Sequence, residues 1–226
     1  MNRDPYYSRK EVSNSDLTAL KEALSPFPVR GDREAAFRMG SVVDALVTDP
    51  LRLDRYRMEL DGEAISPGEY RLGLEMERAL RKSANSDPFL AAVLKRAATQ
   101  KVSVREGQEM EYCGLRFSLD TRCKWDWWLD GMGFGGDLKT TSAATQAEFE
   151  NAVDVFDWDR SRAWYMDVAG SDRDFIYAVS KKTLKVFRKF ITRGDETYCR
   201  GLEKYSALAF RWWCLCTGTA EQEGVW

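Results

Sequence analysis

The hydrophobic period of this chain changes near Lys101, and that change limits its architecture more than any other feature. Before it, apolar residues fall at helical spacing; after it they alternate, as strand residues do. Ser13-Asn14-Ser15-Asp16 reads as a helix N-cap cluster ahead of Leu17, Leu20 and Leu24, and Pro26 and Pro28 end that helix. Ala36, Phe37, Met39, Val43, Leu46 and Val47 predict a second helix over 34–47, stopped by Asp49-Pro50. Gly40 inside it points to close approach of another backbone. Two more helices are expected over 68–84 and 88–98, the second capped by Asp87.

Beyond Lys101, Val102, Val104, Tyr112, Leu115, Phe117 and Leu119 alternate with polar residues and predict two or three strands. Segments 125–129 and 134–139 continue the sheet, with Asp130-Gly131 as a hairpin turn. Helices are expected over 145–153 and 159–168, and strands over 175–179 and 184–191, joined by Ser180-Lys181-Lys182. A last helix spans 195–213. This order predicts an α/β fold, a mixed central β-sheet flanked by helices, with further helices at the N-terminus. At 226 residues one domain is expected, mainly helical over 1–100, with sheet and helices over 101–226.

Composition excludes several chemistries. There is no histidine, so imidazole bases, His-based triads and His zinc sites are all removed. Catalysis would fall to carboxylates, lysine, tyrosine, thiols or a cation held by oxygen, for which Mg²⁺ or Mn²⁺ fits. The five cysteines form no paired C-x-x-C framework and read as free thiols in a reducing compartment. A metal nest of Cys199, Cys214 and Cys216 would lack a fourth thiolate. No apolar run reaches membrane-spanning length and the N-terminus carries no signal-like stretch, so a cytoplasmic location without membrane contact is expected.

A net charge of −2 argues against a general nucleic-acid coat. Yet eight basic residues oppose three acidic ones between Lys181 and Lys204. Such a patch fits a phosphate-tracking groove or a merely solvated face.

The densest chemistry lies in Arg122-Cys123-Lys124-Trp125-Asp126-Trp127-Trp128 and Gly136-Asp137-Leu138-Lys139-Thr140-Thr141. Asp137 follows Asp126 by eleven residues, and Lys139 follows Asp137 by two. Alternation puts Asp137 and Lys139 on one strand face and Leu138 on the other. Two carboxylates can hold a divalent cation, and an ammonium can orient water and offset charge on a phosphorane. An exposed strand ion pair would leave the same pattern. Asp120, after Leu119, rivals Asp126; the Asp130-Gly131 turn favours Asp126 because it closes a compact hairpin into Asp137. The eight tryptophans are either core anchors or, for those near 125–128, 158 and 164, planes for stacking on bases. Trp212 and Trp213 are candidates for packing on another subunit.

These residues resemble the PD-(D/E)xK nuclease superfamily, and within it the RecE-type (exonuclease VIII) and lambda-exonuclease-like phage members. The likeness runs from Ser13 to the final helix and is strongest at Gly136–Thr141, where the family has a D/E-x-K-T-T ending. Trp125-Asp126 stands where Pro-Asp is usual. The resemblance implies a restriction-endonuclease-like core and Mg²⁺- or Mn²⁺-dependent hydrolysis of DNA. Asp126, Asp137 and the Leu138 carbonyl would be metal ligands, with Lys139 positioning the attacking water. Met39–Leu46 resembles the family's G-x-x-x-H/D-x-x-L helix, which makes Asp44 a further metal ligand. Tyr165 matches the tyrosine of Q-x-x-x-Y, but Ser161 replaces the glutamine, so either Arg160 or Arg162 contacts phosphate instead or activity is reduced. Lys181 and Lys182 complete the expected DNA contacts. DNA-end resection in phage recombination, a single-strand annealing partner and a homo-oligomer are further implications.

Overall fold

The computed structural model describes residues 5–25 and 33–217. A short 3₁₀ turn, Pro5–Ser8, precedes helices α1 (Asn14–Ala23) and α2 (Arg33–Thr48). A second 3₁₀ turn (Pro50–Arg52) leads into three two-residue strands, β1 (Leu53–Asp54), β2 (Glu59–Leu60) and β3 (Glu63–Ala64). Helices α3 (Pro67–Ser83) and α4 (Pro88–Arg96) follow. Then come strands β4 (Ala98–Tyr112), β5 (Leu115–Leu129) and β6 (Phe134–Thr141), helices α5 (Gln146–Val155) and α6 (Trp158–Ala169), strands β7 (Arg173–Ser180) and β8 (Val186–Thr192), and helix α7 (Glu196–Thr217).

The expected α/β architecture is present: a five-stranded mixed sheet, ordered β4-β5-β6-β7-β8, with helices on both faces. Only β6 and β7 run parallel, and α5 and α6 make the crossover between them. Alternation along β7 sorts the two cores. Ile176 and Ala178 face α1, α5, α6 and α7, while Phe175, Tyr177 and Val179 face α2, α3 and α4. A smaller cluster of Val42, Ala45, Leu46, Leu53, Leu60 and Ile65 lies between α2 and the small sheet.

Local chemistry explains the boundaries. Ser13 caps α1 in a reciprocal box with Asp16, and Asp87 caps α4 by accepting from the Phe89 and Leu90 amides. Loss of either cap would cost about 1 kcal/mol. Pro26 and Pro28, expected to end α1, lie outside the described residues.

Several expectations change. The alternating stretch after Lys101 is two fifteen-residue strands, joined at Cys113-Gly114, where both residues take positive φ (50° and 80°). Segment 125–129 is therefore the end of β5, not a separate strand. The β5–β6 turn spans 130–133, and its left-handed residue is Gly133 (φ 69°), not Gly131. A side chain at Gly40 would meet the Thr140 hydroxyl at 3.8 Å, so no backbone closes on it. The strand expected from Leu184 starts at Val186, because Leu184 itself is left-handed (φ 57°). Periodicity could not show β1–β3, since two residues carry no period.

Trp125, Trp127, Trp128 and Trp164 are buried, so these rings build core and offer no face to a base. Trp212 and Trp213 pack against the chain's own first core, Trp213 with its ring 5.7 Å from Phe117. All five cysteines are free. Burial pushes the Cys123 thiol up to about 12. Among the described residues no helix is long and apolar enough to cross a membrane.

Candidate active site

Strands β5 and β6 pair at only three positions, Trp127 with Gly136, Trp128 with Gly135 and Leu129 with Phe134. Beyond them the strands part, and the Leu138 amide donates to the Asp126 carboxylate (2.8 Å) instead of a β5 carbonyl. The carboxylate is thereby fixed in the gap between the strands. Gly135 and Gly136 make this possible. A Cβ at Gly135 would lie 2.4 Å from the Trp125 ring, and one at Gly136 2.2 Å from the Phe175 ring. The two rings clasp β6 from its opposite faces and bring Asp137 in beside Asp126.

Asp137 and Lys139 project to the α5–α6 side, while the Leu138 side chain is buried in the opposite core. The Lys139 ammonium lies 2.6 Å from Asp137 Oδ2, and the charges of Asp126 and Asp137 are close enough to act on each other. From α6, Arg162 sends Nη2 to within 3.3 Å of Asp137 Oδ1 and Nη1 to within 3.6 Å of Asp174 Oδ2. Its guanidinium lies over the Tyr165 ring at 3.9 Å, and that ring meets Trp125 edge-on. Asp44, from α2, accepts hydrogen bonds from Thr48 (2.5 Å), Arg52 (2.9 Å) and Gln100 (3.3 Å).

The three carboxyls titrate apart. Burial, then the neighbouring charges of Asp137 and Asp44, push Asp126 well above the usual carboxylate range. Burial also acts to raise Asp137, but Arg162 and Lys139 outweigh it and hold Asp137 low. Burial raises Asp44, against the hydrogen bond from Thr48 and the charge of Arg52. A proton on this pair is therefore favoured on Asp126 over Asp137, and a cation entering between them would displace it.

One cleft of about 780 Å³ holds Asp44, Asp126, Asp137, Leu138, Lys139 and Tyr165, and reaches Lys181. Three expected residues stand elsewhere. Arg160 is buried and bonded to Asn14 (3.1 Å) and Thr18 (2.6 Å), so it ties α6 to α1. Arg162 is 1% exposed beneath Asp137, where a phosphate cannot reach it. Both were expected to contact DNA; their charges are spent inside the protein. Lys182 is exposed but does not line the cleft. Ser161 donates to the Trp158 carbonyl and accepts from Arg162 Nε (3.3 Å), so its hydroxyl is engaged within α6. Asp120, the rival of Asp126, accepts from the Gly107 amide at the β4 bulge.

Arg52, Gln100 and Glu148 also line the cleft. Nothing in the sequence marked them. Gln100 lies on β4, where its left-handed backbone (φ 55°) accompanies a side chain bonded to Thr48 (2.8 Å) and Asp44.

The donors at this site are all hard oxygens, which suits Mg²⁺ or Mn²⁺ and disfavours soft metals. Asp126 and Asp137 fit such an ion as a pair. Asp44 is committed to Arg52, and among the described residues no group of three acidic or thiol side chains stands together as a ready metal cluster.

The sequence matches no protein-family model and no curated protein. Solved structures similar to the chain include a phage-related exonuclease from Haemophilus somnus 129PT, at 14% identity and TM-score 0.40, covering 92% of this chain and 96% of that one. Another is LHK-Exo in complex with dAMP, at 12% identity and TM-score 0.38, over 85% and 98% of the two chains. A third is SSO0001, at 14% identity and TM-score 0.36, over 86% and 84%. At such scores these likenesses carry no argument about the site.

Proposed function

We propose that this protein is a metal-dependent deoxyribonuclease, acting as an exonuclease on double-stranded DNA ends. The observation that carries the reading is the Asp126 carboxylate, set in the gap between β5 and β6 against Asp137, with the Lys139 ammonium 2.6 Å from Asp137. Asp126 and Asp137 would hold Mg²⁺ or Mn²⁺, which when bound supplies an acidified water and neutralises phosphate charge. Lys139 would release Asp137 to orient that water and donate to the pentavalent oxygens. Tyr165 would hold the Arg162 guanidinium beneath Asp137, and Lys181 would meet the phosphate backbone at the cleft edge. The natural setting of such an activity is cytoplasmic recombination, as in phage, with a single-strand annealing protein as partner and a homo-oligomer as the working form.

The test is Mg²⁺-dependent loss of linear duplex compared with covalently closed circles. Degradation of the linear form alone supports the exonuclease. Cutting of both makes it an endonuclease. A second reading, a DNA-binding module that no longer cuts, draws on the Arg52–Asp44 pair and on Ser161, whose hydroxyl is taken up within α6. It predicts a gel shift of both forms with neither degraded.

A further inference from the structure

Of the five exposed large aromatic rings among the described residues, three line the cleft of the carboxylates: Tyr7 (61% exposed), Phe37 (76%) and Phe156 (63%). They come from separate segments, the first 3₁₀ turn, α2 and the end of α5. Two helices present their cleft faces with one periodicity. Phe37, Gly40, Ser41 and Asp44 follow along α2, as Glu148, Asn151, Ala152 and Val155 do along α5, with Phe156 next. Each wall therefore carries polar groups at one level and an exposed ring at another. Seven residues of helix separate Phe37 from Asp44, about 10 Å, or roughly three stacked nucleotides.

Exposed aromatic rings lining one cleft mark an interaction site. The phenylalanine rings cannot hydrogen-bond to phosphate or to base edges; what they offer is a flat apolar face. Inside a duplex, base faces are covered by their neighbours, and the one open face, that of the terminal pair, sits on a whole base pair with both backbones, too broad for a cleft of about 780 Å³. A ring inside the cleft therefore gains a partner when bases are unpaired. Lys124 and Lys181, which line the same cleft, suit the backbone of such a strand.

We infer that Tyr7, Phe37 and Phe156 form a stacking collar for unpaired nucleobases, so that the strand reaches the carboxylates single-stranded. The inference rests on the nuclease reading and deepens it. The test uses the full chain carrying Lys139→Ala, with Mg²⁺, and short duplexes that are blunt or carry single-stranded tails with 2-aminopurine. Tailed duplex should bind at least fivefold more tightly than blunt, with the fluorescence quenched. Phe37→Ala and Phe156→Ala should each weaken tailed binding about fivefold or more while sparing blunt binding. Equal affinity for both ends, or alanine variants that keep the preference, overturns the collar and leaves the nuclease reading standing. So does loss of self-association in the alanine variants without change in DNA affinity, which would make the rings a contact between copies. A protein that binds neither DNA overturns both readings.

Discussion

Helix α6 joins two arginine–aspartate clusters that differ in how completely they are satisfied. Toward its C-terminal end, Asp167 accepts from Arg193 (2.5 Å), Tyr198 (2.9 Å) and Tyr205, while Arg193 also donates to Asp172 (3.0 Å) and the Ser171 carbonyl (2.8 Å). About one turn earlier, Arg162 lies between Asp137 and Asp174, yet its Nη1 and both Asp174 oxygens lack a hydrogen bond among the described residues. The first cluster is half in solvent and its partners are matched; the second is fully buried and underbonded. Buried charge without full hydrogen bonding costs several kcal/mol. The fold tolerates that cost beside Asp137 and nowhere along the Arg193 cluster. We read the Arg193 network as structural and the Arg162 network as the device that keeps Asp137 ionised and aimed.

Substitutions separate the two. Lys139→Ala should have the largest effect on turnover, a loss on the order of 10³-fold, with a smaller loss of stability than Arg162→Met, since Asp137 keeps Arg162 as a partner when the ammonium 2.6 Å away is removed. Arg162→Met should lower turnover on the order of 10²-fold and weaken Mn²⁺ binding. It also strands two buried carboxylates, so a stability loss of about 3–5 kcal/mol is expected in denaturant titration. Arg162→Lys keeps the charge and should recover Mn²⁺ affinity more than turnover. Arg193→Met should cost about 1–3 kcal/mol of stability with turnover within about twofold. If Arg193→Met damaged turnover as deeply as Arg162→Met, the contrast between the clusters would fail.

A pH effect sharpens the same contrast. Burial raises Asp174 and Asp126, so the folded state holds their protons more tightly than the unfolded chain does. Between the unfolded value, about 4, and the higher folded values, the folded state binds more protons. Stability of the metal-free protein should therefore fall as pH rises through that window. Added Mn²⁺ should offset the part due to Asp126. Asp174→Asn should flatten the profile, and thermal melts across pH read both effects.

Much of this was legible from residues. Alternation at Asp137-Leu138-Lys139 put the charged pair on one face, and capping residues at Ser13 and Asp87 set helix starts. What escaped has physical causes. The β5–β6 gap is a missing pairing, which leaves no residue pattern. Arg160 and Arg162 read as surface charges because arginines in a polar helical stretch usually are, whereas burial against Asn14, Thr18, Asp137 and Asp174 depends on partners distant in sequence. Exposure is equally unreadable from type: Trp125, Trp127, Trp128 and Trp164 went inside, and Phe37 and Phe156 stayed out.

The central claim is that Asp126 and Asp137 together hold a divalent cation, and calorimetric titration with Mn²⁺ tests it most directly. The wild-type protein should bind Mn²⁺ with proton release, and Asp126→Asn and Asp137→Asn should each abolish that binding while remaining folded by circular dichroism. Undiminished Mn²⁺ binding in both variants would contradict it.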